Sequence, residues 1–393
     1  MTSSRRSFLA GLGALAAGAG SAAAVAAPWI SARGMEADRA ENPGARSGLA
    51  GVSTAPIRLD SNENPYGPGP AALDAIRGAW GDLARYPDTP EENLTALVAR
   101  WHSVGQACVL MGCGSTEILG MAARAFTTPG RGLTTATPTF EVPAIQARRV
   151  GAPVTALPVD SSYRIDLTAM AAAAIGAGLV YLCNPNNPTA TLHPAAAIGE
   201  FVLEVTKKSP GTTILIDEAY HEYVEDKGHS TAIPLAMENP RVIISRTFSK
   251  IFGLAGLRVG YVVGQEKTLE ALRDHKLESG VNVLGAAAAM ALLNRTDQVG
   301  LMRKLNTEAR EFTKGWFESA GYRVVPSQTN FMMVEIRRNP AEFRAACRRL
   351  NVWVGRPFPP LLKHTRISIG TLDEMKHAVE IFGQILSDGT GRA

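Results

Sequence analysis

Cysteine is scarce in this chain: four residues in 393, at positions 108, 113, 183 and 347, with no Cys-x-x-Cys or Cys-x-x-His spacing. Neither a disulfide framework nor a thiolate metal site can be read from that pattern. Charge is sparse and balanced, with 19% charged residues, a net charge of +4 and no basic tract. That excludes the electrostatic footprint of a nucleic-acid-binding protein. Large apolar residues are few where a membrane anchor would be sought: residues 8–27 are mostly Ala and Gly. Such a stretch partitions weakly into lipid, so no stable membrane association is expected. There is no internal repeat. The chain is long enough to bury a large core and to hold two domains.

Apolar, strand-like runs alternate with Ala-rich helical segments through the first two thirds of the chain. This pattern predicts a parallel-sheet α/β domain. The runs include residues 180–183, 214–216, 242–245 and 257–263. Helices are expected at 90–101, with Asp88 or Thr89 as N-cap and Pro90 at the start, and at 167–175 and 195–207. After about Asn282 the pattern changes. Two helical segments flank a strand at 330–336, a strand pair lies near Val352 and Arg366, and a last helix starts at Asp373.

One short segment concentrates chemistry. The apolar run Val242-Ile243-Ile244 leads into Thr247, Ser249 and Lys250, and a Gly-rich turn then brings Arg258. Two hydroxyls and two cations in so short a span suit an anionic ligand that also carries a carbonyl. A lysine amine condenses with such a carbonyl, while hydroxyls and an arginine hold a phosphate. Four other segments fit the same ligand. The run at 213–216 ends in Asp217 and then Tyr220, at the carboxyl end of a buried parallel strand, where ligands sit. A carboxylate there needs a cationic partner to offset its desolvation, although taken alone it could equally cap the next helix. The run at 179–183 ends in a turn containing Asn187, whose Asn and Pro content turn chemistry alone would explain. Gly112, Gly114, Ser115 and Thr116 open a helix running to about Phe126, and a helix start attracts anions. Arg366 follows Lys363 and His364 at an alternating strand, and its planar fork suits a carboxylate.

Together these segments, with Thr137-Pro138-Thr139-Phe140 and Arg85-Tyr86-Pro87-Asp88, resemble the fold-type I aminotransferases that use pyridoxal 5'-phosphate. Within that group the resemblance is to the histidinol-phosphate aminotransferase family, over residues 57 to 386. It implies a large, mostly parallel-sheet domain at 86–281, a smaller α+β domain at 282–388 and an N-terminal arm at 55–85. Lys250 would hold the cofactor covalently and move the proton as general base and acid. Asp217 would keep the ring nitrogen protonated, and Tyr220 and Asn187 would bond the ring's phenolic oxygen. Ser115, Thr116, Thr247, Ser249 and Arg258 would receive the phosphate, and Phe140 would stack on the ring. Tyr86 would reach the cofactor phosphate of a neighbouring subunit, in a homodimer with shared active sites. Arg366 would grip the substrate α-carboxylate, with Asn187 and the arm's Tyr66 on the substrate side. The implied reaction is ping-pong transamination between an amino donor and 2-oxoglutarate. Decarboxylases and lyases share the scaffold, and an exported binding protein without catalysis is the rival of another class. The chain departs from the family motif at Ala190, where glycine is usual; a positive φ there would strain alanine.

The N-terminus carries a separate message. Arg5-Arg6 precede the Ala- and Gly-rich stretch, and Ala-x-Ala sites follow near residue 27. This resembles a twin-arginine export signal at 1–27, followed by a flexible lead-in at 28–54. It implies passage of the folded protein through the twin-arginine translocase and a periplasmic or exported location.

Overall fold

The computed structural model describes residues 55–387, so the calls on 1–27 and 28–54 lie outside the described residues. Its strands are β1 (Ile57–Leu59), β2 (Val109–Cys113), β3 (Leu133–Thr137), β4 (Val154–Pro158), β5 (Leu179–Cys183), β6 (Thr213–Asp217), β7 (Val242–Thr247), β8 (Val259–Val263), β9 (Arg323–Val324), β10 (Phe331–Glu335), β11 (Val352–Val354) and β12 (His364–Ser368). Seven of them form one sheet in the order β2-β8-β7-β6-β5-β3-β4. Pairs from β7 through β6, β5, β3 and β4 are parallel, and β8 runs antiparallel to both its neighbours.

The runs are apolar throughout because both faces of the sheet are covered. Along β6, Ile214 and Ile216 pack into one buried cluster, and Leu215 into another on the opposite face. Helices Asp88–Trp101, Ala195–Lys208 and Val283–Leu293 contribute to the first cluster, and Gly114–Phe126 to the second. A separate core lies under β10, β12 and the helices Pro340–Arg349 and Leu372–Ser387. Leu59 of β1 is buried in this second core.

Two local expectations need correcting. The helix expected from Pro90 begins at Asp88, with Pro87 at the N-cap position, so neither Asp88 nor Thr89 caps it. The expected strand pair near Val352 and Arg366 is not a pair. β11 pairs in parallel with β1, and β12 pairs antiparallel with β10. The alternating patterns there were compatible with either partner, and the arm strand supplies the one that sequence order hides.

Strand order positions the site. Cys183, Asp217 and Ser245 lie side by side at the carboxyl ends of β5, β6 and β7. At the same edge Gly260 of β8 stands opposite both Gly112 of β2 and Thr247 of β7. The start of helix Gly114–Phe126, the Thr247–Lys250 turn and Arg258 are thereby brought to one corner.

Candidate active site

A cavity of about 510 Å³ opens at this edge. Ser115, Thr116, Phe140, Asn187, Asp217, Tyr220, Thr247, Ser249, Lys250, Arg258 and Arg366 all line it. Tyr66 and Tyr86 do not. Tyr86 is 83% exposed, on the surface, and Tyr66 lies half-exposed in the arm.

At one end, Cys113 leaves the start of helix Gly114–Phe126 without a side-chain cap, so its first-turn N–H groups and positive dipole end remain for an anion. Gly114 sits at φ 71°, and a Cβ there would run into the Arg258 guanidinium. Glycine therefore does two things at once: it takes the left-handed turn and leaves room for the cation. Arg258, itself left-handed at φ 54°, donates to Ser249 Oγ at 3.3 Å and to the Ala255 carbonyl at 2.9 Å. Thr247 Oγ1 donates to Ser249 Oγ at 2.9 Å. Helix start, two hydroxyls and a guanidinium make a cup for a phosphate.

At the other end lies Asp217, 2% exposed. Ser245 Oγ donates to its Oδ1 at 2.7 Å and the Tyr181 hydroxyl to its Oδ2 at 2.9 Å. Burial raises its pKa above the ordinary carboxylate value, against the pull of those donors. Among the described residues no Lys, Arg or His forms an ion pair with it. The carboxylate is oriented by neutral donors and lacks the cation that its burial calls for. Tyr181 and Ser245 are functional residues that sequence reading missed.

Between the two ends stands Lys250. Its Nζ donates to the backbone carbonyls of Ser61 at 3.4 Å and Asn62 at 3.2 Å, and sits 5.7 Å from the Tyr220 ring centre. Burial, reinforced by Arg366 and Arg258, pushes its pKa down to about 8. An amine shifted that far is ready to act as nucleophile and base near neutrality.

Arg366 lies in the middle of β12, buried and lodged near the rings of Phe331 and Phe358, 5.6 and 4.8 Å from its guanidinium carbon. It donates to Asn187 Oδ1 and to the Asp60 carbonyl, both at 2.7 Å, while Nε is buried with no partner. Burial and the nearby Arg356 push its pKa down to about 10. The cavity wall carries five cations, at Lys250, Arg258, Arg344, Arg356 and Arg366, against the three carboxylates of Asp60, Glu63 and Asp217. Such a site favours anionic ligands.

The turn after β5 keeps its shape despite the missing glycine. Ala190 adopts φ 65° and is fully buried. Left-handed alanine costs about 1–2 kcal/mol. The turn holds it through the Ala190 N–H bond to Asn186 O at 2.8 Å and the Asn186 N–H bond to Thr191 O at 2.9 Å.

These residues fit one kind of group: a phosphate at the cup, a protonatable ring nitrogen at Asp217, and a carbonyl near Lys250. Comparison with known proteins points the same way. Residues 54–382 match the model of the family described as "Aminotransferase class I and II".

The chain belongs to the class I and II aminotransferases.

It is 35% identical over 336 residues to a histidinol-phosphate aminotransferase of Symbiobacterium thermophilum, covering 85% of this chain and 91% of that protein. It is 34% identical over 318 residues to an aromatic amino acid aminotransferase of Thermobifida fusca, covering 81% and 87%. A crystal structure of the histidinol-phosphate aminotransferase from Sinorhizobium meliloti in complex with pyridoxal-5'-phosphate matches with a TM-score of 0.79 at 27% identity, over 90% of this chain and 99% of that one. This aminotransferase is a fold-type I enzyme of the histidinol-phosphate aminotransferase type, and its cofactor is pyridoxal 5'-phosphate. When bound, that cofactor supplies a carbonyl that takes up an amine and a ring that withdraws electrons from the carbon bearing it. The residues above would hold it: the cup its phosphate, Asp217 its ring nitrogen and Lys250 its carbonyl carbon. Lys250, which lines the cavity, would then be placed to serve as base toward the substrate carbon.

Proposed function

We propose that this aminotransferase moves the amino group of a donor carrying a carboxylate or phosphate to 2-oxoglutarate, with Arg366 gripping the anion in both half-reactions. The observation that carries this reading is that Arg366 lines the same cavity as Lys250 and, among the described residues, forms no ion pair with a carboxylate. A guanidinium whose protein partners are neutral oxygens keeps its charge for a substrate anion. Arg356 lines the same wall, next to Arg366 in electrostatic reach, and a phosphate with three acceptor oxygens suits two guanidiniums. One pocket then serves histidinol phosphate, which has no α-carboxylate, and ordinary amino acids. The names of the relatives from Symbiobacterium thermophilum and Thermobifida fusca support both donor types.

The test is a screen of purified enzyme with 2-oxoglutarate, reading glutamate formed. Histidinol phosphate and aromatic amino acids should both serve as donors. Carbon dioxide release without glutamate would instead make the enzyme a decarboxylase on the same scaffold.

The reading includes a homodimer and export. Trp80, Leu83 and Tyr86 are all more than half exposed within seven residues, a patch that a second subunit would cover, with Tyr86 reaching its cofactor phosphate. Sedimentation at micromolar concentration should give twice the chain mass. Arg5-Arg6 and the Ala-rich stretch lie ahead of the family match, which starts at residue 54. Replacing both arginines by lysine keeps the charge, yet should leave full-length active enzyme in the cytoplasm while the unaltered protein is processed outside it. Unaltered enzyme found uncleaved in the cytoplasm would overturn export and leave histidinol phosphate, a cytoplasmic intermediate, as the leading donor.

A further inference from the structure

We propose that Asn62, in the arm just after β1, is a positioning residue that fixes the direction of the Tyr220 hydroxyl hydrogen. Asn62 is 2% exposed and adopts φ 55°. Asparagine is among the few residues with a side chain that enter this region readily. Its bonds form a closed circuit with Ser368 at the end of β12. The Asn62 N–H donates to Ser368 Oγ at 2.8 Å. The Ser368 hydroxyl, with that lone pair taken, donates to Asn62 Oδ1 at 2.8 Å. This settles which end of the amide faces Tyr220: Nδ2 donates to the Tyr220 oxygen at 3.0 Å.

A phenol oxygen that accepts from an amide cannot send its own hydrogen back along the same line. Among the described residues no acceptor takes the Tyr220 O–H, and Tyr220 lines the cofactor cavity. The hydrogen is therefore left for a ligand oxygen. The same residue touches the catalytic lysine, since the Asn62 carbonyl accepts from Lys250 Nζ at 3.2 Å and from Asn330 Nδ2 at 2.9 Å. Asn62 thus joins the second core, through Ser368 and Asn330, to two groups at the edge of the large sheet.

The proposal rests on Tyr220 acting as donor to the cofactor, and its test separates the two claims. Asn62→Asp keeps the shape but reverses one bond: a carboxylate oxygen replaces Nδ2 and takes the Tyr220 hydrogen away from the cavity. Asn62→Gly keeps the positive φ and all three backbone contacts, and frees the phenol. The expected order of kcat is therefore wild type, then Gly, then Asp, with Asp below Gly by about 10-fold, the size of one hydrogen bond. KM should move less. A packing role predicts the opposite order, because Asp fills the space that Gly leaves. Two further readouts do not depend on turnover. The pH midpoint of the enzyme's visible absorbance should shift in Asn62→Asp in the same direction as in Tyr220→Phe. The affinity of cofactor-free enzyme for pyridoxal phosphate should fall in the same two variants.

In a Tyr220→Phe background the difference between Asp and Gly should vanish. Asp equal to or better than Gly, or a difference that survives Tyr220→Phe, overturns the proposal. A Tyr220→Phe variant with unchanged kcat and midpoint removes the assignment of Tyr220 and the proposal with it. Ser368→Ala keeps the test open should Asn62→Asp not fold. It releases Oδ1, lets the amide turn its carbonyl to the phenol, and should lower kcat in the same way; unchanged kcat and midpoint there also overturn the proposal.

Discussion

Replacing Arg366 by lysine isolates what its fork contributes. In the structure one guanidinium meets two protein acceptors while its charge stays unpaired: Nη1 reaches Asn187 Oδ1 and Nη2 reaches the Asp60 carbonyl, each at 2.7 Å. A lysine ammonium on a flexible stem cannot hold both protein acceptors and a substrate anion in one plane. The loss is at least one charge-assisted hydrogen bond, about 1.5–3 kcal/mol, or roughly 10- to 150-fold in kcat/KM. The charge itself is also exposed to loss. Surroundings that push Lys250 to about 8 and Arg366 to about 10 would depress a lysine placed at 366 as well. The penalty should therefore widen as pH rises, since a lysine in this site loses its proton at lower pH than the arginine does. Steady-state kinetics at several pH values, with glutamate, histidinol phosphate and an amine lacking any acidic group, provide the assay. The two anionic donors should suffer and the neutral amine should not. An equal fall for all three would show that Arg366 supports the fold of the cavity and does not read the substrate anion.

Lys250→Ala should abolish turnover and the borohydride-bleached yellow colour while far-UV circular dichroism stays unchanged, because the lysine supplies both covalent link and base. Asp217→Ala should retain cofactor through the phosphate cup yet lose about 100-fold or more in kcat, given the ~3–5 kcal/mol cost of breaking a buried ion pair; an unchanged kcat means another acid serves the ring. Loading of cofactor-free enzyme should speed up with pH and level off just above 8, where Lys250 becomes neutral, and a rise that continues to the ordinary lysine value of 10.5 would contradict the burial of this amine. The sign for stability follows. The folded pKa is depressed, so the penalty of the buried ammonium is fully present below about 8 and is relieved between about 8 and 10.5, where the unfolded chain holds more protons.

The sequence made the ends of individual strands legible, because an apolar run that stops in Asp217 or in Thr247 announces both a buried strand and its chemical end. It did not make strand neighbours legible. Tyr181 lies inside the apolar run of β5 and reads as core. Only the pairing of Tyr181 with Leu215, two residues before Asp217 on the same face, brings its hydroxyl to the carboxylate. Ser245 is hidden in the same way, as the Asp217 partner on β7. Asn62 reads as part of an arm, and its contacts depend on Asn330 beside β10 and Ser368 in β12, 268 and 306 residues later in the chain. Position 190 shows the opposite case. Sequence flagged the missing glycine, and the structure holds alanine in the same left-handed turn through hydrogen bonds that the sequence does not display.

The arm explains how two cations are kept in one cavity without being neutralised. Asp60, Ser61 and Asn62 offer three successive backbone carbonyls, the first to Arg366 and the other two to Lys250. Carbonyls satisfy the N–H groups but carry only partial charge. Carboxylates at the same places would pair fully, and a substrate anion would then have to displace a formal charge. The salt bridges of the described residues instead tie up Arg246, with Glu218 and Glu222, behind the site, and leave Arg366 and Lys250 without a carboxylate partner. Burial depresses the pKa values of both, and with no carboxylate paired to either, little offsets it; the positive charge kept in this way underlies the anionic donor proposed above. Because the contacts are made by backbone atoms, side-chain changes at Ser61 should leave the preference intact. A change that moves the chain, such as Asn62→Pro with its φ forced negative, should release both cations together and lower kcat/KM for anionic donors more than for neutral ones.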